Sequence, residues 1–141
     1  MFKFAPMGQG SFHWRLILRK VYQLEKYQLR KDVLELWGGK CPITGVNMKQ
    51  ILIASHIVPW YLSDNREKID KYNGFPLSPV YDKLFDLGYI SFNDDGKMIF
   101  SPHLSEETME RLKINKQHNI AGLKEEHLRY LKKHREIYGF L

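Results

Sequence analysis

The chain has 141 residues, with 22 Lys/Arg against 16 Asp/Glu for a formal charge of +6, a length that suits one ordinary domain and excludes multi-domain machinery. Hydrophobic residues at 43% and aromatics at 13% suffice for a core, which excludes wholesale disorder. The single cysteine, Cys41, excludes a disulfide framework and any four-thiolate zinc ribbon, and fits a reducing, cytoplasmic setting. No run approaches the roughly eighteen apolar residues of a membrane span, and MFKFAPMGQG lacks a full apolar signal region, so a soluble, non-exported protein without a membrane partner is expected.

The excess positive charge favours a polyanionic partner. It is unevenly placed: residues 1–40 carry eight basic and three acidic side chains and residues 105–141 eight and six, whereas residues 41–104 carry six and seven. A basic frame around a slightly acidic centre suits a protein that holds phosphates with cations while a carboxylate recruits a metal.

In chain order, residues 1–11, with Gly8 and Gly10, read as a flexible lead-in to a single domain over 12–141. From Phe12 to Trp37, Leu16, Ile17, Val21, Leu24, Leu29, Val33 and Leu34 recur at helical spacing among Lys and Arg, which predicts one or two helices with a basic outer face, stopped by Gly38-Gly39. CPITG at 41–45 reads as a turn, and Ile51–Ala54 as a short strand running no further than Pro59, which puts His56 near its end. Residues 61–73 are polar and aperiodic and read as a long loop, of the kind that more often carries function. Gly74–Leu77 predicts a second short strand, confined to an edge by Pro76. Ser78-Pro79 signals an N-cap and first helical residue for a helix through Leu87, closed by Gly88. Asn93-Asp94-Asp95-Gly96 between two apolar runs predicts a hairpin. Ser105 opens a helix with Glu106 and Glu107 in its first turn, and a last helix spans about 123–138 with Leu128, Leu131 and Ile137 as its expected buried side.

A strand ending in His56, a loop carrying Asn73 and a capped helix carrying Asp82 can bring an imidazole, an amide and a carboxylate to one point. Neutral imidazole accepts a proton near pH 7, an amide oxygen can hold the ring or its loop, and a carboxylate binds a hard divalent cation. Each residue also has a plain structural reading: a satisfied histidine, an Asn-Gly turn, a solvated helical acid.

The stretch resembles the HNH endonuclease family, on CPITG at 41–45, ASHIVPW at 54–60, YNGFPLSP at 72–79, YDKLFDLG at 81–88 and ISFNDDGKMIF at 90–100, with GQGSF at 8–12 and HRE at 134–136 as flanking features. The resemblance implies an α+β fold with a ββα-metal (His-Me finger) core over about 51–88, an added β-hairpin, and helices at both ends. It implies metal-dependent hydrolysis of DNA, in settings such as restriction, with His56 activating water, Asn73 orienting that histidine or the loop around it, and Asp82 holding one divalent ion. Where many relatives carry a second acidic or imidazole ligand this chain has Ser55, so the metal is held loosely with extra waters or His56 is itself drawn into coordination. Magnesium or manganese is favoured, with zinc or nickel left open. Arg66, Lys68 and Trp60 are candidates for DNA contact, Ser55, Asp86 and His134 are candidates to support the site, and a homodimer is left open. The competing reading is a non-catalytic nucleic-acid binder that keeps the fold, for which Ser55 is the motivating feature.

Overall fold

The computed structural model describes residues 11–140; the expected lead-in lies outside the described residues except for Ser11, which already begins a helix. That helix, α1, is a single 26-residue element, Ser11–Leu36, because nothing between Tyr22 and Arg30 breaks it. Its C-terminal half buries Leu29 and Val33 against the strands and turns of the centre, whereas its N-terminal half leaves Phe12 71% and Trp14 61% exposed. Arg30 fastens it to the body by donating to the carbonyls of Lys49 and Leu52.

The centre is a ββα unit. Strand β1, Ile53–His56, pairs antiparallel with β2, Gly74–Leu77, in a register that sets His56 opposite Gly74 and Ala54 opposite Pro76. Pro76 is tolerated because β2 has a strand neighbour on one side only. Helix α2, Pro79–Asp86, follows at once. Ser78 sits at its N-cap with proline first in the helix, as expected, but the serine hydroxyl caps nothing: it pairs with the Thr44 hydroxyl at 2.7 Å. The Cys41 sulfur, buried, accepts from the backbone N–H of Thr44 and of Ser78, each at 3.5 Å, so the CPITG turn is docked on the start of α2.

Between β1 and β2 the expected loop is instead three 3-10 turns, Trp60–Leu62, Glu67–Ile69 and Lys71–Asn73. These close through backbone bonds and polar side chains, such as Asp70 accepting from Tyr72 N–H, so no apolar periodicity announces them.

The hairpin appears as β3, Ile90–Phe92, and β4, Met98–Phe100. Its turn has Gly96 N–H donating to Asn93 C=O at 2.9 Å with Gly96 at φ +85°, the left-handed conformation that the Asp-Gly pair signals. Ser105 caps α3, Glu106–Arg111, by accepting from Thr108 N–H. Helix α4, Glu125–Ile137, buries Leu131 as expected, but His127, Tyr130 and His134 complete the inward face, while Leu128 is half-buried and Ile137 is 40% exposed. Both ring nitrogens of His134 are hydrogen-bonded, whereas His127 accepts from Lys124 N–H at Nδ1 and packs its ring against Phe75, Trp37 and Tyr72 with Nε2 buried and unbonded, contacts that apolar counting cannot anticipate. The core joins Phe75, Leu77, Phe85, Ile90, Phe92, Tyr130 and Leu131, so β2, α2, β3 and α4 share one apolar interior. The α+β fold, the ββα unit, the added hairpin and the flanking helices are as the sequence leads one to expect.

Candidate active site

His56 is the last residue of β1, and its ring is set by the loop opposite. Nε2 lies 2.9 Å from the backbone carbonyl of Lys68, a group that can only accept. Nε2 therefore carries the proton, and Nδ1 is left as the basic nitrogen. Burial holds the imidazole below its usual pKa; the Lys68 carbonyl and the charge of Asp86 oppose that, and Lys26 adds to it. A neutral ring with a defined basic nitrogen is what proton abstraction near neutral pH requires.

Asn73 is fully buried and does not bond His56. Its Oδ1 accepts from Val58 N–H at 2.8 Å, while Nδ2 donates to the Ser63 hydroxyl at 3.2 Å and to Glu67 C=O at 3.0 Å. The backbone just after His56 is thus tied to the backbone just before Lys68, whose carbonyl fixes the imidazole. Of the two expectations for Asn73, the geometry matches the one in which it orders the loop.

Asp82 stands in the first turn of α2, half-buried. Burial raises its pKa, the Ser55 hydroxyl hydrogen bond lowers it again, and the like charge of Asp86 adds to the rise. Ser55, 4% exposed, is therefore a neighbour of Asp82. Asp86, four residues on and exposed, is the carboxylate whose charge acts on both His56 and Asp82. Among the described residues no three His, Cys, Asp or Glu side chains form a metal-holding group. A closed structural zinc site of four protein ligands is therefore not formed among the described residues. One or two carboxylates, with water and substrate phosphate completing the shell, do fit a hard ion such as magnesium or manganese.

The remaining expected residues divide. Lys68 is only 6% exposed, with its ammonium 4.0 Å from the centre of the Trp60 ring, so it is part of the wall behind His56 and not an outward phosphate contact. Trp60 is half-buried and meets Tyr22 of α1 edge to face at 4.9 Å; with Lys68 also on it, it braces α1 instead of offering a base-stacking surface. Arg66 is exposed, but in a hollow shared with Asp64, Glu67 and Asp70, whose carboxylates offset its charge. His134 does not join the site. Only 1% exposed, it stacks on Phe85 with ring centres 3.9 Å apart, donates from Nε2 to Phe85 C=O at 2.9 Å and accepts at Nδ1 from the Ser91 hydroxyl at 2.8 Å. Both nitrogens are used, so the ring can serve neither as base nor as ligand.

The sequence reading missed Lys26, whose charge acts on both His56 and Asp82 from α1. Helical spacing puts Lys26 on one side of α1 with Arg15 and Arg19 but does not say which element that side meets. The Lys68 carbonyl leaves no trace in side-chain pattern.

Compared with known families, residues 41–93 match the model described as HNH endonuclease, a span that runs from the CPITG turn through β3 and includes His56, Asn73 and Asp82. No curated protein matches the chain.

Proposed function

From the match of residues 41–93 to the family model described as HNH endonuclease, we propose that the protein is a metal-dependent endonuclease that hydrolyses DNA phosphodiester bonds at His56 and Asp82. The observation that carries this reading is the His56 ring: its Nε2–H is committed to the Lys68 carbonyl, which leaves Nδ1 as a base of defined position.

In the proposed reaction Nδ1 takes a proton from water as the water oxygen bonds phosphorus, and the bond from phosphorus to the 3′ oxygen breaks. The resulting imidazolium keeps its Nε2–H on the Lys68 carbonyl and is further stabilised by the negative charge of Asp86. Asp82, assisted by Asp86, would hold one divalent cation, which supplies positive charge to the scissile phosphate and the leaving oxygen. The Ser55 hydroxyl, a buried neighbour of Asp82, would help to hold its carboxylate. Asn73 is a positioning residue, acting on His56 through the loop it pins.

Supercoiled plasmid tests the reading. Nicked or linear product with magnesium or manganese, abolished by chelator, is expected. Binding without cleavage under every divalent condition would overturn it in favour of a non-catalytic DNA binder.

A further inference from the structure

Helix α1 contributes no expected catalytic residue, yet it carries six Lys/Arg and three Asp/Glu, and the two signs are sorted by face. At about 100° per residue, Arg15, Arg19, Lys26 and Arg30 fall within about 60° of one another. Glu25, Asp32 and Glu35 fall within about 80° in a separate sector. Lys20 and Lys31 lie outside the basic sector, on the outward side of the helix. Arg30 is spent on the Lys49 and Leu52 carbonyls. Arg15, Arg19 and Lys26 are exposed.

This basic side is turned towards the site. Arg15 and Arg19 line an open groove together with four apolar or aromatic side chains of the same helix and with Trp60, four residues past His56. Two turns further along α1, the Lys26 ammonium lies 4.9 Å from the centre of the Tyr22 ring, which meets Trp60 edge to face. The same helix packs on β1, the strand that ends in His56, so Arg15, Arg19 and Lys26 follow one side of α1 from the groove towards the site.

We infer that the Arg15, Arg19 and Lys26 face of α1 is a track for the sugar-phosphate backbone of DNA, delivering one strand to the site. The inference rests on the nuclease reading for its destination, and on the groove and the charge sorting for its course. Eleven residues from Arg15 to Lys26 span about 16 Å of helix axis, against about 3.4 Å of duplex axis per phosphate on one strand, so three cations can each meet a different phosphate. Backbone, not stacked bases, is the fitting occupant, because the Trp60 ring is engaged by Tyr22 and Lys68.

Fluorescence anisotropy on a short labelled duplex, in chelator so that no strand is cut, separates a track from mere positive charge. Each cation that neutralises a phosphate contributes about 0.9 to the slope of log affinity against log salt. The Arg15→Ala/Arg19→Ala double variant should flatten that slope by about 1.8, and Lys26→Ala by about 0.9. The Lys20→Ala/Lys31→Ala double variant, which removes equal charge from the same helix, should leave slope and affinity within twofold of the parent. Equal losses in the two double variants, with helical content unchanged by circular dichroism, would overturn the track. Wild-type protein that fails to cut with metal, while the track variants still lose binding selectively, would overturn the nuclease reading and leave the track standing.

Discussion

Acid should destabilise this protein in part through His134, a histidine with no part in the proposed chemistry. Its ring is sealed between Phe85, Ser91 and Tyr138, and burial, reinforced by Arg135 and only partly offset by the Phe85 carbonyl, lowers its pKa to about 4. The unfolded chain titrates near the ordinary value of about 6.5. Between those two values the unfolded state binds the proton and the folded state does not, so the stabilisation is fully present above pH 6.5 and is lost as pH falls through 4. At about 1.36 kcal/mol per unit, the interval of roughly 2.5 units amounts to about 3.4 kcal/mol, of which about 2.5 kcal/mol is already lost at pH 4.5. Urea unfolding at pH 7 and pH 4.5 measures it, with His134→Phe as the partner experiment. The variant keeps the ring stack but leaves Ser91 and the Phe85 carbonyl unsatisfied, so it should be less stable at pH 7. It should also lose about 2.5 kcal/mol less than the parent between the two pH values. Equal losses in parent and variant would refute the reasoning.

Other consequences are equally direct. Asn73→Ala removes three hydrogen bonds and strands the buried Val58 N–H, so it should cost about 3 kcal/mol or more in urea unfolding, and activity per folded molecule should fall as well, because the Lys68 carbonyl is no longer held against His56. Gly88 has φ +76° and a β-carbon there would strike the Tyr138 ring, whose hydroxyl donates to Asp86 C=O at 2.7 Å. Gly88→Ala should therefore destabilise by about 2 kcal/mol, and by clearly less in a Tyr138→Ala background, as a double-mutant cycle would report. After removal of metal by chelator, magnesium or manganese should restore cleavage, since the donors offered by Asp82 and Asp86 are carboxylate oxygens.

What could be read in the sequence was whatever local rules decide. Ser78-Pro79 with Gly88 bounded α2, Asp95-Gly96 marked the hairpin, and the uninterrupted periodicity around Tyr22 allowed α1 to be one helix. The order of motifs carried His56, Asn73 and Asp82 to one ββα unit. What escaped depended on tertiary partners. Lys68 has the composition of a surface lysine, yet its backbone holds His56 and its side chain covers Trp60. His134 has the look of a site residue beside Arg135 and Glu136, yet Ser91 and the Phe85 carbonyl satisfy it in the core. The turns between Trp60 and Asn73 close through polar bonds that no apolar pattern encodes. Lys26 lies in a helix that spacing alone could not orient towards β1 and α2.

The most direct measurement of the central claim is single-turnover cleavage of a labelled duplex by parent, His56→Ala and Asp82→Asn proteins at equal DNA occupancy. Losing the base or the cation's carboxylate should slow cleavage at least about 100-fold while duplex binding and thermal stability stay near the parent values. Cleavage within a few-fold of the parent in either variant would contradict the account.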